Sequence, residues 1–239
     1  PLHRWLTEKM FPFEAKLTEE DIYWSSMLGA CELIRSGVAS FTDMFYTLPQ
    51  IERAVRDSGL KANLCFGTTA LPGLSGYREY VAYQETEGLR RRLADAADDR
   101  IRVDVGLHAE YTSHEALMCD VADYARETGL RVHLHLSETQ KEHEECKARH
   151  NGLTPAALFE KVGLFDVPAT AAHCVWIEGE DFDIFRRHGV TVAHNPSSNM
   201  KLGSGYAPVK KMLESGVRVG IGTDGAASNN NLNMLEEVA

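Results

Sequence analysis

Short apolar runs recur along this chain, and most of them follow a helical pattern that ends in glycine. Five pairs mark the junctions: Gly37-Val38, Gly59-Leu60, Gly129-Leu130, Gly189-Val190 and Gly216-Val217. Glycine just past a helix end takes the left-handed conformation without a Cβ penalty, so each pair predicts a helix stop and a strand start. The predicted strands lie near 38–45, 62–69, 101–109, 131–137, 170–176, 190–194 and 218–223. Most are continuous apolar runs rather than alternating ones, as parallel strands covered on both faces require. Their starts recur about every 30 residues, the length of one βα unit.

Helices fit between the strands. Residues 5–14 form an amphipathic stretch broken at Pro12. Thr18-Glu19-Glu20-Asp21 is a helix start with a carboxylate three residues after the cap, and the helix carries Ile22, Leu28, Leu33 and Ile34 up to Gly37. Segments 48–58 and 77–97 are amphipathic or charged. Ser113 is the expected cap of a helix bearing Leu117, Val121 and Tyr124. Thr154-Pro155 is a cap followed by proline at the first helical position. Segments 181–188 and 207–215 close the set, and 231–239 reads as a helix without a C-cap.

Seven parallel strands make either an open doubly wound sheet or a (β/α)8 barrel. No GxGxxG follows the first strand, and polar residues stand at many strand ends, which suits a barrel mouth. The expected fold is therefore an incomplete TIM-type (β/α)8 barrel, one strand short. No low-complexity linker interrupts it, so residues 1–239 read as one domain, partial in extent. The opening Pro1-Leu2-His3-Arg4 has no initiator methionine and reads as the middle of a longer chain.

Composition narrows the partners. With 44% apolar and 25% charged residues over 239 positions, the chain is an ordinary globular one. A net charge of −10 argues against a nucleic-acid backbone. The apolar runs are too short for a bilayer, and no signal peptide is visible. Five cysteines form an odd set without CxxC. Cys31, Cys65 and Cys174 lie in apolar runs, which suggests reduced, mostly buried thiols in a cytoplasmic protein.

The chemistry gathers around Arg131-Val132-His133-Leu134-His135-Leu136-Ser137-Glu138. His133 and His135 point to one side of their strand. They are either a pair of satisfied interior histidines or the edge of a metal site. Glu138 favours the second reading if a turn at Ser137 brings it over the mouth. A ligand beside a carboxylate that is not a ligand is the layout that activates a metal-bound water. Three more polar endings recur: His108 after Gly106-Leu107, His173 after Ala171-Ala172, and Asp224 after Gly222-Thr223. Asp224-Gly225 also reads as an ordinary turn pair. The stretch from His194 to Asn199 reads as a polar loop.

Together these stretches carry a resemblance. His135-Leu136-Ser137-Glu138, Ala172-His173-Cys174, the run from His194 to Gly203 and the run from Gly222 to Asn230 resemble the amidohydrolase superfamily. Within it they are most similar to the 5-methylthioadenosine/S-adenosylhomocysteine deaminases, as are Trp5-Leu6, Pro12-Phe13-Glu14 and Phe41-Thr42-Asp43-Met44. The resemblance implies a (β/α)8 barrel with a small β-sandwich made by the two chain ends. It implies one divalent metal per subunit, usually zinc, with ferrous iron as an alternative. The ligands would be an HxH on strand 1, His135 and Asp224. Glu138 would shuttle a proton from water to a purine ring, with Asp224 accepting another, and His173 would position the water. His108 would contact substrate, with Trp5 covering the ribose and Glu14 bonding its hydroxyls. His133 would be a packed neighbour.

The implied reaction is hydrolytic deamination of an adenine nucleoside to the inosine analogue and ammonia. The implied partner is thus a small purine nucleoside, with homo-oligomerisation left open. The strand-1 HxH is absent, so residues 1–239 alone are expected to be inactive and poorly metallated, the enzyme being the longer parent. Members that accept S-adenosylhomocysteine hold its carboxylate with arginine, and Thr68-Thr69-Ala70-Leu71-Pro72 offers none. Arg78, Arg90, Arg91 and Arg92 are the remaining candidates, against which stands their reading as a solvated helix face. That favours 5-methylthioadenosine, adenosine or 5-deoxyadenosine. Guanine or cytosine deamination, triazine hydrolysis and a non-catalytic barrel remnant are the alternatives.

Overall fold

The computed structural model describes residues 2–96 and 99–239, in which helices and parallel strands alternate. The chain begins with α1 (Leu2–Trp5), a π-helical turn over Leu6–Met10, and α2 (Phe11–Glu14). Pro12 does not break this stretch as expected. It sits in the first turn of α2, where a missing N–H is tolerated. Next comes α3 (Glu19–Arg35), opened by a capping box: the Thr18 hydroxyl accepts from the Asp21 N–H, and the Asp21 carboxylate accepts from the Thr18 N–H.

The alternation then runs β1 (Ser40–Phe45), α4 (Leu48–Ser58), β2 (Lys61–Phe66), α5 (Val81–Ala96), β3 (Ile101–Val103) and β4 (Val105–Leu107). It continues with α6 (Glu115–Thr128), β5 (Val132–Leu136), α7 (Gln140–Arg149), α8 (Pro155–Lys161), β6 (Ala169–His173) and α9 (Asp181–His188). The last elements are β7 (Thr191–His194), α10 (Pro196–Lys201), α11 (Val209–Glu214), β8 (Arg218–Ile221), α12 (Ala226–Asn229) and α13 (Met234–Val238). Residue 97, the expected end of α5, lies outside the described residues, and Tyr77–Glu79 forms a separate 3-10 turn before that helix. The five junction glycines all have φ between 64 and 82°, as a left-handed helix stop demands.

Two local expectations are corrected. The cap of α6 is His114, not Ser113: the imidazole Nδ1 accepts from the Leu117 N–H, while the buried Ser113 hydroxyl has no partner. All five cysteines are free and Cys65, Cys146 and Cys174 are buried, but Cys31 is exposed. The reason is that α3 buries the face carrying Ile22, Ala30 and Leu33.

The strands form parallel ladders in the orders β1-β2-β3 and β4-β5-β6-β7-β8. β3 and β4 are the two halves of one predicted strand, parted at Asp104. That residue donates its N–H to the Leu64 carbonyl, and its carboxylate accepts from the Arg131 guanidinium. The ladders meet there, for Thr68 bridges Leu107 and accepts the His108 N–H. The result is a curved wall of seven parallel positions with β1 and β8 at its two edges, an incomplete TIM-type barrel.

Side chains alternate across this wall. Val132, Leu134 and Leu136 of β5 pack outward with Leu107, Leu117, Phe159 and Phe165 under the helices. His133 and His135 point the other way, into the enclosed space. A second apolar cluster, with Ile51, Leu64, Leu89 and Ile101, supports β1 to β3.

Candidate active site

The C-terminal strand ends converge on one cavity of about 1170 Å³. His108, His135, Glu138, His173 and Asp224 line it, with Trp5 and Glu14 from the first helices. All seven residues singled out from the sequence therefore share one space.

His135 stands at the register position opposite Ala172, so β5 and β6 end at one level. Its Nδ1 lies 2.7 Å from the His108 carbonyl oxygen, which accepts only from a protonated Nδ1. Nε2 is then the bare lone pair, the form a metal ligand needs. Burial and the neighbouring His173 hold its pKa below the usual histidine value. His133 lies one layer deeper, with Nδ1 3.5 Å from the Cys65 sulfur, and burial pushes it down to about 3.

Just beyond β5, Ser137 has φ of 46°, and this left-handed turn swings Glu138 back over the mouth. Glu138 is buried, and burial raises its carboxyl to about 7, with the nearby Asp224 adding to the rise. Its Oε1 accepts from the Ser204 hydroxyl at 3.3 Å, and its Oε2 is 3.7 Å from His173 Nε2. His173 ends β6 at φ 71° and stacks on His135 at 5.5 Å between ring centroids. Its Nδ1 sits 2.9 Å from the Asn199 side-chain oxygen, so that oxygen fixes the proton on Nδ1 and turns Nε2 towards Glu138.

Asp224 follows β8, also left-handed at φ 58°. Burial pushes its carboxyl up, but His173, the two hydroxyls that bond it and His135 outweigh burial and leave it below its ordinary value. Those hydroxyls are Ser198 and Ser228, each 2.7 Å from Oδ2, while Oδ1 takes the Gly225 N–H. His108 is held by Thr112 at 3.0 Å, and burial pushes its pKa down to about 3, so it is a neutral imidazole near pH 7. Glu14 is half-buried, and that burial raises its pKa.

A side lobe of about 540 Å³ opens beside Glu14. Phe11, Ala15, Tyr46, Thr69, Ala70 and Thr112 line it, and among the described residues no lysine or arginine does. Phe11, Glu14 and Tyr46 also line the main cavity, so the two spaces adjoin.

Several site residues escape a sequence reading. The stretch from His194 to Asn199 is not a plain loop. It opens α10, which supplies Ser198 to Asp224 and Asn199 to His173. The one signal was Asn195-Pro196, proline at a first helical position. Ser204 and Ser228 carried none.

A family model described as the amidohydrolase family matches residues 1–239. A 5-methylthioadenosine/S-adenosylhomocysteine deaminase of Dictyoglomus thermophilum is 49% identical over all of this chain and 55% of its own length. A 5'-deoxyadenosine deaminase of Methanothermobacter thermautotrophicus is 41% identical over all of this chain and 55% of its own length. The chain spans about half the length of the curated relatives it matches. A solved adenosine deaminase of Xanthomonas campestris with bound zinc superposes with a TM-score of 0.89 at 28% identity, covering 99% of this chain and 54% of that one. Among the described residues, no helix is long and apolar enough to cross a membrane.

Proposed function

We propose, from the premise that this chain belongs to the amidohydrolase family, that it carries the larger part of the active site of a hydrolytic adenine-nucleoside deaminase. The observation that carries this reading is Glu138. It is a buried carboxyl raised to about 7 and set beside His173 over the same cavity as His135 and Asp224, and among the described residues no lysine or arginine pairs with it. A group poised near neutrality accepts and returns a proton with little cost in either direction.

The donor set suits a divalent metal. His135 offers a freed Nε2, and Asp224 offers a carboxylate that His173 and two hydroxyls hold below its ordinary pKa. His135 and Asp224 would hold the ion, with zinc the preferred candidate and ferrous iron the alternative. Such an ion lowers the pKa of a bound water towards 7. Catalytic zinc sites use about three protein ligands, so the longer parent must add at least one more. The open edges of β1 and β8 leave room for a strand carrying it.

The chain's own groups then divide the work. Glu138 takes a proton from water and delivers it to the ring nitrogen beside the amino-bearing carbon. His173 orients the water through Nε2, and Asp224 receives the remaining proton and passes it to the amino group as that group departs. Water oxygen bonds to carbon, the carbon–nitrogen bond breaks, and ammonia leaves with the inosine analogue. Trp5 and Glu14 on the cavity rim suit a nucleoside better than a free base, since a carboxylate accepts from two ribose hydroxyls. The side lobe, without lysine or arginine and with Glu14 on its wall, suits a neutral 5' substituent. The preferred substrates are therefore 5-methylthioadenosine, 5'-deoxyadenosine and adenosine over S-adenosylhomocysteine.

The test is to load the full-length parent with zinc and screen adenine nucleosides for ammonia release. Turnover of the neutral nucleosides, with S-adenosylhomocysteine slower, is expected. Release from guanine or cytosine alone would overturn the nucleoside reading.

A further inference from the structure

We infer that Glu142 is a positioning residue that clamps the turn presenting Glu138, an inference that rests on the deaminase reading above. Glu142 lies in the first turn of α7 and is fully buried. One of its carboxylate oxygens accepts the Ser137 N–H at 2.9 Å, and the other accepts the Glu138 N–H at 2.8 Å. A bidentate carboxylate thus holds two successive peptide groups. The first belongs to Ser137 at φ 46°, a conformation that side chains other than glycine rarely adopt. Extended backbone at Ser137 would continue the strand and send Glu138 to the opposite side from His135.

The molecule supplies its own control. In α3 the third residue after the cap, Asp21, turns back to the N–H of its cap residue Thr18. In α7 the Thr139 hydroxyl caps in the same way, accepting the Glu142 N–H at 3.2 Å. The Glu142 carboxylate, however, reaches past the cap to the two residues before it. Helix capping therefore does not account for where this side chain goes. Nor does capping need a carboxylate, because glutamine serves at that position as well. Glutamate is a demanding choice here: burial pushes it up to about 7, and the Glu138 charge adds to the rise. What glutamate offers over glutamine is a second acceptor oxygen, and the turn uses both. His143 adds a second tie, its Nδ1 lying 3.0 Å from the Ser137 hydroxyl.

The experiment uses the zinc-loaded full-length parent and the variants Glu142→Gln and Glu138→Gln. Glutamine can accept from one amide but turns an NH2 towards the other. For Glu142→Gln, kcat should fall by about 10²-fold with KM nearly unchanged, since misplacing a catalytic group by an ångström has an effect of that order. Zinc content should stay at the parent's level. Amide exchange gives a readout independent of turnover: the Ser137 and Glu138 amides should lose protection in the variant while those inside β5 keep theirs. Unchanged kcat in Glu142→Gln, beside a silent Glu138→Gln, would overturn the clamp and leave the deaminase reading intact. Full turnover in Glu138→Gln would take Glu138 off the proton path, absence of ammonia release by the unaltered zinc-loaded parent would overturn the deaminase reading, and in both cases amide exchange would still judge the clamp. Should Glu142→Gln fail to fold, the unaltered enzyme decides: fast exchange of the two amides refutes the clamp, and slow exchange supports it.

Discussion

β5 carries one residue proposed to hold the metal and β8 leads to the other, yet the two strands live in different surroundings. β5 is almost wholly buried, paired on both sides by β4 and β6, with Leu134 and Leu136 in the main core. β8 is a mostly exposed edge strand, paired only to β7. The two residues are accordingly fixed by different means. His135 is oriented by a backbone carbonyl on the neighbouring side of the wall. Asp224 has no such neighbour on its open side and depends on hydroxyls from α10 and α12. The site is thus rigid by packing on one flank and by side-chain hydrogen bonds on the other. The open flank also holds a second buried carboxyl group. Asp43 on the other edge strand, β1, has a buried Oδ2 without a partner, and burial raises its pKa to about 6.

Glu138 belongs to the packed flank, and its loss should have the largest effect. In the zinc-loaded parent, Glu138→Gln should cut deamination by about 10²–10⁴-fold, the range for removing a general acid–base group. Metal analysis on the same sample should find zinc retained. Near-normal turnover with full zinc would remove Glu138 from the proton path.

The flanks should also differ in how they respond to truncation. In residues 1–239, Leu134→Ala should destabilise by about 2–5 kcal/mol, as for buried leucines in general. Ile221→Ala, at a side chain 44% exposed on β8, should stay within about 0.5 kcal/mol. In the full-length parent the Ile221 effect should grow, because a strand seated between β1 and β8 would cover it. Denaturant melts of both variants in both lengths read the outcome. An Ile221 effect that stays small in the parent would mean that the edge stays open there.

Hydroxyl ties around Asp224 come next. Ser198→Ala combined with Ser228→Ala should weaken metal affinity of the parent by about 10–100-fold, the usual effect of removing such supporting hydrogen bonds. Competition with a chromogenic chelator measures it. Unchanged affinity would mean that the strand end alone orients Asp224, as packing does for β5.

What could be read from the sequence divides along similar lines. The glycine stops and the runs at β5 and β6 are local signals, so the parallel alternation and the positions of His135, His173 and Asp224 were legible, while the count of seven fell one short of the eight strands. The turn at Ser137 was legible because a serine ends an apolar strand just before a carboxylate. The hydroxyls and amide that secure the site were not. Ser198 and Asn199 each reach a partner 26 residues away, and such a contact leaves no periodic trace. The split at Asp104 was hidden for the same reason, since it answers to Leu64 on β2 and to Arg131 just before β5. At α6 the propensity rule favoured serine as the cap, whereas the imidazole one residue on reached the free N–H.

That cap yields the smallest effect and the sharpest control. α6 packs Leu117, Val121 and Tyr124 against the closed side of the wall, far in structure from the β1 and β8 edges. His114 contributes one hydrogen bond to the helix start, so His114→Ala should cost about 1 kcal/mol, as for a lost N-cap. Because nothing about this side depends on closure of the wall, the cost should be equal in residues 1–239 and in the full-length parent. The Ile221→Ala effect should differ between those two proteins while the His114→Ala effect does not. If both shift together, the missing segment stabilises the whole barrel uniformly, and the division into a packed flank and a hydrogen-bonded flank fails.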